Sequence, residues 1–278
     1  MSPLERLRDL DRRWIFLCVG ILVVTPLVTG FRVAAVRPGE RARGFYDAIE
    51  RVPRGATVLL AGDYDPGTIA ENYPMHLAAA RHLMSRGIKI VAVELYPGGP
   101  PLADQVLHLA GREYGKREGY DYVNLGYKSG NEVVMSQMGS SIPRTFPTDR
   151  RGVPVTQIPV MRGIENYSHI ALLVSVSAGY PGTKEWVQQV VSRYHLPMVA
   201  GVTAVSAPEY YPYLQSGQLQ GLLGGMAGAA EYEVLVGHPA LATRGMDAQS
   251  LVHVFIALMI VLGNLAFLPV RSAAGSGA

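Results

Sequence analysis

Residues 171–208 read ALLVSVSAGYPG (171–182), TKEWVQQVVSRYHL (183–196) and PMVAGVTAVSAP (197–208). The first run is apolar and β-branched and ends in Ser177-Ala178-Gly179. A turn with Pro181 and Gly182 follows. Trp186, Val187, Val190, Val191 and Tyr194 then recur at helical spacing, separated by Lys184, Glu185, Gln188, Gln189 and Arg193. The third run is apolar again and closes on small polar residues. Strand, helix of about three turns and strand make a parallel crossover unit. Strands this apolar need cover on both faces.

Similar units extend to either side. Residues 56–68 (ATVLLAGDYDPGT) read as a first strand and its exit loop. A helix over 70–85 follows, with Gly87 suited to its C-cap. A second strand over 89–95, a helix over 102–114 and a third strand over 122–125 come next. Then comes a helix over 131–138 with Asn131 as its cap. The stretch 171–208 supplies strands four and five. Residues 218–236 (QLQGLLGGMAGAAEYEVLV) read as one Gly/Ala-rich helix. The expected fold class is α/β, a doubly wound and mostly parallel, Rossmann-like sheet over 56–248. Residues 139–168 hold Pro143, Pro147, Pro154 and Pro159 with little periodicity. They read as a long arm: a tolerated insertion, or a segment that covers the site or grips a neighbouring subunit.

The ends differ from the middle. Residues 1–13 form a basic tail with Arg6, Arg8, Arg12 and Arg13, and Leu4, Leu7 and Leu10 could stripe a short interfacial helix. Residues 14–31 (WIFLCVGILVVTPLVTGF) and 251–270 (LVHVFIALMIVLGNLAFLPV) carry no acid, lysine or arginine and approach the length a bilayer requires. The first run also fits a cleaved signal ending near Val33-Ala34-Ala35, or a buried core helix. With two spans, 32–55 is a basic linker and 271–278 a tail. The expected location is the cell membrane, with the lipid bilayer as a partner. Four arginines in the short first tail favour tails inside and the domain outside the cytoplasm; the reverse places it in the cytoplasm.

The 278 residues contain 25 basic and 22 acidic side chains, a net charge of +3. That balance, without a basic stripe, argues against nucleic acid. The single cysteine, Cys18, excludes an intramolecular disulfide, an all-cysteine zinc site and a Cys-x-x-Cys motif.

Ligands of open parallel sheets bind outside the carboxyl ends of the strands. Those ends gather Asp63, Asp65, Glu94, Lys128, Ser175, Ser177, Thr203 and Ser206 as candidate ligand-binding residues. Asp63 and Asp65 could hold Mg²⁺, with Glu94 or a substrate phosphate completing the shell. The alternative is that both aspartates cap the turn, with no cofactor. Their spacing resembles the haloacid dehalogenase phosphatases, but Gly67 stands where that family has Thr or Val. Ser175-Val-Ser177-Ala-Gly departs from a nucleophile elbow. No glycine-rich dinucleotide or phosphate loop follows the first strand. Residues 179–183 could offer N–H groups to an anion, or form a turn with Thr183 as N-cap. Gly221, Gly224, Gly225 and Gly228 would each cost a helix about 1 kcal/mol relative to Ala. They call for a close neighbour, either the domain's own sheet or another protomer.

The runs DRRWIFL, DYDP, GYPGTKEWVQ, TAVSAPE with YPYL, and RGMDAQS resemble a family of uncharacterised bacterial membrane-anchored proteins. The resemblance implies a two-span α/β protein and brings no activity with it. With no complete catalytic set, the first functional reading is a non-enzymatic assembly component that self-associates as a homo-oligomer or docks a membrane protein partner. The alternative is a membrane-tethered enzyme or sensor binding a metal or phosphorylated ligand at the strand ends.

Overall fold

The computed structural model describes residues 11–33 and 35–274, with side chains through Ala266. The expected stripe of Leu4, Leu7 and Leu10 lies outside the described residues. Two compact units emerge: residues 36–243, and the terminal segments together.

The terminal unit contains α1 (Arg12–Thr29) and most of a 34-residue helix (Leu241–Ala274). Both are long and apolar enough to cross a membrane. Asp11 caps α1 through the Arg13 N–H, and Gly30 ends it in the left-handed region. Its large apolar residues, such as Phe16, Ile21 and Val28, face outward. Thr25 and Thr29 donate their hydroxyls to Ile21 and Thr25 carbonyls, and the Asn264 amide donates to the Ile260 carbonyl. The two hydroxyls and the amide N–H are thus paired within their own helices. Arg32 pairs with the buried Asp247 at 3.3 Å, and Asp247 also accepts the Val33 N–H.

The domain is built on six parallel strands: β1 (Thr57–Asp63), β2 (Lys89–Glu94), β3 (Tyr122–Tyr127), β4 (Leu172–Ser177), β5 (Met198–Val202) and β6 (Leu222–Gly224). Their order is β3-β2-β1-β4-β5-β6. This is the expected α/β sheet with helices on both faces. The central strands β1, β4 and β5 are buried throughout, which explains their unbroken apolar runs. The flanking helices are α2 (Glu40–Glu50), α3 (Ile69–Ser85), α4 (Gly99–Glu113), α5 (Glu132–Ser140), α6 (residues 183–194, with a π-helical turn at Val187–Val191) and α7 (Gly225–Leu235). The long terminal helix is α8. Linker residues 40–50 are therefore helical, with Phe45 edge-on to Tyr232 at 4.7 Å and Ile49 buried.

Two local expectations change. Residues 218–236 are not one helix: β6 occupies Leu222–Gly224, and Gly225 takes φ +61° at the junction into α7. A left-handed residue suits glycine and breaks a continuous helix. Asn131 is the N-cap of α5, as expected, but it takes φ +48° and makes no side-chain cap bond. Thr183 is the first residue of α6, while Gly182 is its N-cap and donates its N–H to Glu185.

Residues 139–168 are core cover. A helical turn at Ile142–Thr145 and 3₁₀ turns at Val155–Gln157, Pro159–Met161 and Tyr167–His169 bury Ile142, Phe146, Val155, Val160, Met161 and Tyr167 against the α5 and α6 side of the sheet. Short 3₁₀ turns follow neither the strand nor the α-helix period, so the apolar residues escape a periodicity reading. The Tyr167 hydroxyl donates to the Met135 carbonyl at 2.7 Å.

Candidate functional site

Strand order reverses between β1 and β4, which puts the crevice of this fold outside their carboxyl ends. Asp63 ends β1 and is fully buried. Its Oδ1 accepts the Leu95 N–H at 2.6 Å and its Oδ2 the Trp186 Nε1–H at 2.8 Å. Burial pushes its carboxyl up to about 6, against the pull of these donors. Asp65 has a different task. It caps the 3₁₀ turn Pro66–Thr68 by accepting the Gly67 N–H, and its other oxygen accepts the Tyr96 hydroxyl at 3.3 Å. Both carboxylates are thus engaged by N–H groups, of Leu95 and Trp186 at Asp63 and of Gly67 at Asp65. Among the described residues, no group of three His, Cys, Asp or Glu side chains is gathered to hold a metal.

The serines take the second of two readings open to strand-end hydroxyls, ligand binding or the satisfaction of backbone groups. Ser175 and Ser177 are buried and face Thr183, with hydroxyl separations of 3.2 and 2.8 Å, and the Thr183 N–H donates to the Ser177 Oγ. These hydroxyls satisfy one another and the start of α6 instead of opening to a ligand. Thr203 and Ser206 stay half-buried after β5, where Thr203 donates to Ser206 at 3.0 Å. Lys128 donates its N–H to the Glu94 carbonyl, while its ammonium lies 5.8 Å from the Phe146 ring centre.

Glu94 is the exception. It ends β2 fully buried, and neither carboxyl oxygen has a partner among the described residues. Burial and the neighbouring Asp63 hold its carboxyl well above the usual range, while Arg150 pulls it down. Arg150 itself pairs with Asp104, and the Asn124 amide donates to Asp104 at 2.7 Å. Across Gly62 lies His76 of α3, with Nδ1 3.0 Å from the Tyr64 hydroxyl and Nε2 unpartnered. Burial drives its pKa down to about 3, so the ring is neutral. One turn earlier, Asn72 donates to the Ser177 carbonyl and leaves its Oδ1 unpartnered. Space here is set by glycine: a Cβ at Gly62 would approach His76 to 2.8 Å, and one at Gly99 would meet Gly62 and Glu94.

Sequence reasoning placed Glu94 at this rim and missed Tyr64, Asn72, His76 and Arg150. Asn72 and His76 stand four apart on one face of an apolar helix, a signal that could have pointed to them. The four glycines offered as an oligomer interface have neighbours within their own protomer. A side chain at Gly221 would strike the backbone of Phe45 and Gly44, and one at Gly224 would crowd Ala207. At Gly225 it would meet Ala204, and at Gly228 the backbone of Leu223. Their smallness needs no second copy.

No protein-family profile and no curated protein sequence matches this chain.

Proposed function

We propose that this chain is a membrane-anchored α/β protein whose domain takes a small polar ligand in the crevice between β1, β2 and β4, as an enzyme or a sensor. One observation carries the reading. Four buried polar atoms, on Asn72, His76 and Glu94, have no hydrogen-bond partner among the described residues and lie at the carboxyl ends of these strands. A stranded buried polar group costs about 1–3 kcal/mol, and folded proteins keep few of them. Here they gather where this fold binds ligands. Burial shifts Glu94 towards its protonated form, which can donate a hydrogen bond, His76 is a neutral acceptor or donor, and Asp63 titrates at about 6. Perturbed groups of this kind suit proton transfer or recognition of an uncharged polar ligand. On this reading α1 and α8 cross the membrane, the tails are cytoplasmic and the domain is outside.

The test is thermal unfolding of the full chain in detergent with a panel of uncharged polar compounds: monosaccharides, polyols, nucleosides and small amides. A ligand at a hundredfold excess over its Kd adds about 2.7 kcal/mol. For a domain of this size that moves Tm by roughly 2–4 °C per kcal/mol. At least one compound should stabilise the wild type, and Glu94→Gln should abolish the shift. A panel that leaves wild type and variant alike speaks against the reading.

An assembly role is the second reading. Val133, Tyr180 and Val205 are exposed on segments that follow β3, β4 and β5, with Val205 88% exposed. Light scattering of the full chain in nanodiscs separates the two: a defined oligomer favours assembly and a monomer the ligand site.

A further inference from the structure

A concavity lies elsewhere on the domain. A cleft of about 590 Å³ opens where α2 and α7 begin, beside the carboxyl ends of β5 and β6. Leu222 and Ala227 contribute to an apolar floor, and Glu40, Arg41, Tyr211 and Glu231 carry its charge and aromatic surface. The Arg41 guanidinium lies over the Tyr211 ring at 4.6 Å from its centre. Glu231 accepts the Gly39 N–H at 3.0 Å, which fixes its carboxylate at the start of α2. A guanidinium and two carboxylates thus share one apolar floor. That distribution complements a small zwitterion attached to an aliphatic chain. Arg41 suits a phosphate, which it can bind through two N–H groups. Glu40 and Glu231 suit an ammonium, and Leu222 and Ala227 suit the methylenes beside it. Gly39 follows the end of α1 at Thr29 by ten residues, a tether of at most about 35 Å.

We propose that this cleft binds the headgroup of a zwitterionic phospholipid, phosphate and ammonium together, from the bilayer that anchors the chain. The proposal rests on the membrane-anchored reading and is independent of the crevice ligand. The full chain is reconstituted in nanodiscs with equal phosphatidylethanolamine and phosphatidylglycerol, extracted gently, and its retained lipid is weighed by native mass spectrometry. Wild type should keep phosphatidylethanolamine over phosphatidylglycerol by fivefold or more. Glu40→Gln should bring the ratio near one, because the ammonium alone distinguishes the two lipids. Ala227→Leu should do the same by filling the floor from an exposed helical position, with the melting temperature unchanged. Equal retention in wild type, or a preference unchanged in both variants, would overturn the proposal. Free O-phosphoethanolamine stabilising the chain while no lipid is retained would overturn the lipid as the source. An alkaline wash of vesicles tests the anchor separately. Release of the chain sinks the anchored reading, and the lipid source with it, whereas retention without headgroup preference sinks only the cleft.

Discussion

Two polar clusters meet at the carboxyl ends of β1 and β4, one under α6 and one under α3. Under α6, Ser175, Ser177 and Thr183 bond one another, and both Asp63 oxygens receive N–H donors. Under α3, Asn72, His76 and Glu94 are as deeply buried, yet four of their polar atoms have no partner among the described residues. The difference teaches that burial of polar groups alone does not mark a site. The first cluster holds helix and sheet together. The second carries a cost in stability that a ligand or water would offset.

Removal of Asp63 should separate the clusters most sharply. Asp63→Ala leaves the Trp186 and Leu95 N–H groups stranded, and we expect a loss of about 3 kcal/mol in urea unfolding. A loss below 1 kcal/mol would mean that the α6 cluster is not the structural one.

The pH response comes next. The folded pKa of Asp63, about 6, lies above the ordinary value because burial disfavours its charge, with Glu185 adding repulsion. The native state therefore holds this proton more tightly than the unfolded chain. The stability it brings is full below about pH 4 and is lost as pH rises through about 6. Glu94, raised further, acts in the same direction at higher pH. His76, depressed to about 3 by burial, works in the opposite sense over the same range, so the contrast lies between the two chains: relative to wild type, the denaturation midpoint of Asp63→Asn should climb from pH 4 to 6. An identical slope in the variant would refute the assignment.

Thr183→Val keeps the shape of the side chain but removes the hydroxyl that links Ser175 and Ser177, for a loss of about 1–2 kcal/mol. Glu94→Leu should have the smallest effect and the opposite sense. It removes two unpartnered oxygens, so the unliganded domain should unfold within about 1 kcal/mol of wild type or at higher denaturant. A loss above 2 kcal/mol would show that Glu94 is already well bonded, and the contrast between the clusters would fail.

Much of the architecture was legible because five strands and their helices carry distinct periods. β6 was not, since three residues amid glycines hold no period of their own. Its identity comes from pairing with β5 and from the contact of Gly221 with α2. At the site, strand ends were legible but solvent access was not. Ser175 and Ser177 look like ligand-facing hydroxyls until Thr183 folds back on them. Glu94 reads as an open acid until α4 begins at Gly99 above it. Asn72 and His76 gain meaning only when α3 lays them over Gly62, a contact between segments that no local pattern announces.

The pairing of Arg32 with Asp247 has a consequence for where such a chain can reside. The apolar helix before Arg32 has 18 residues, about 27 Å of rise, slightly less than a typical hydrocarbon thickness of about 30 Å. An ion pair just past its end resists being drawn into oil. On the membrane-anchored reading the pair acts as a depth stop, and a thicker bilayer must thin locally to meet it. Such mismatch costs only fractions of a kcal/mol per Å, yet it is enough to bias lateral sorting towards thinner membrane.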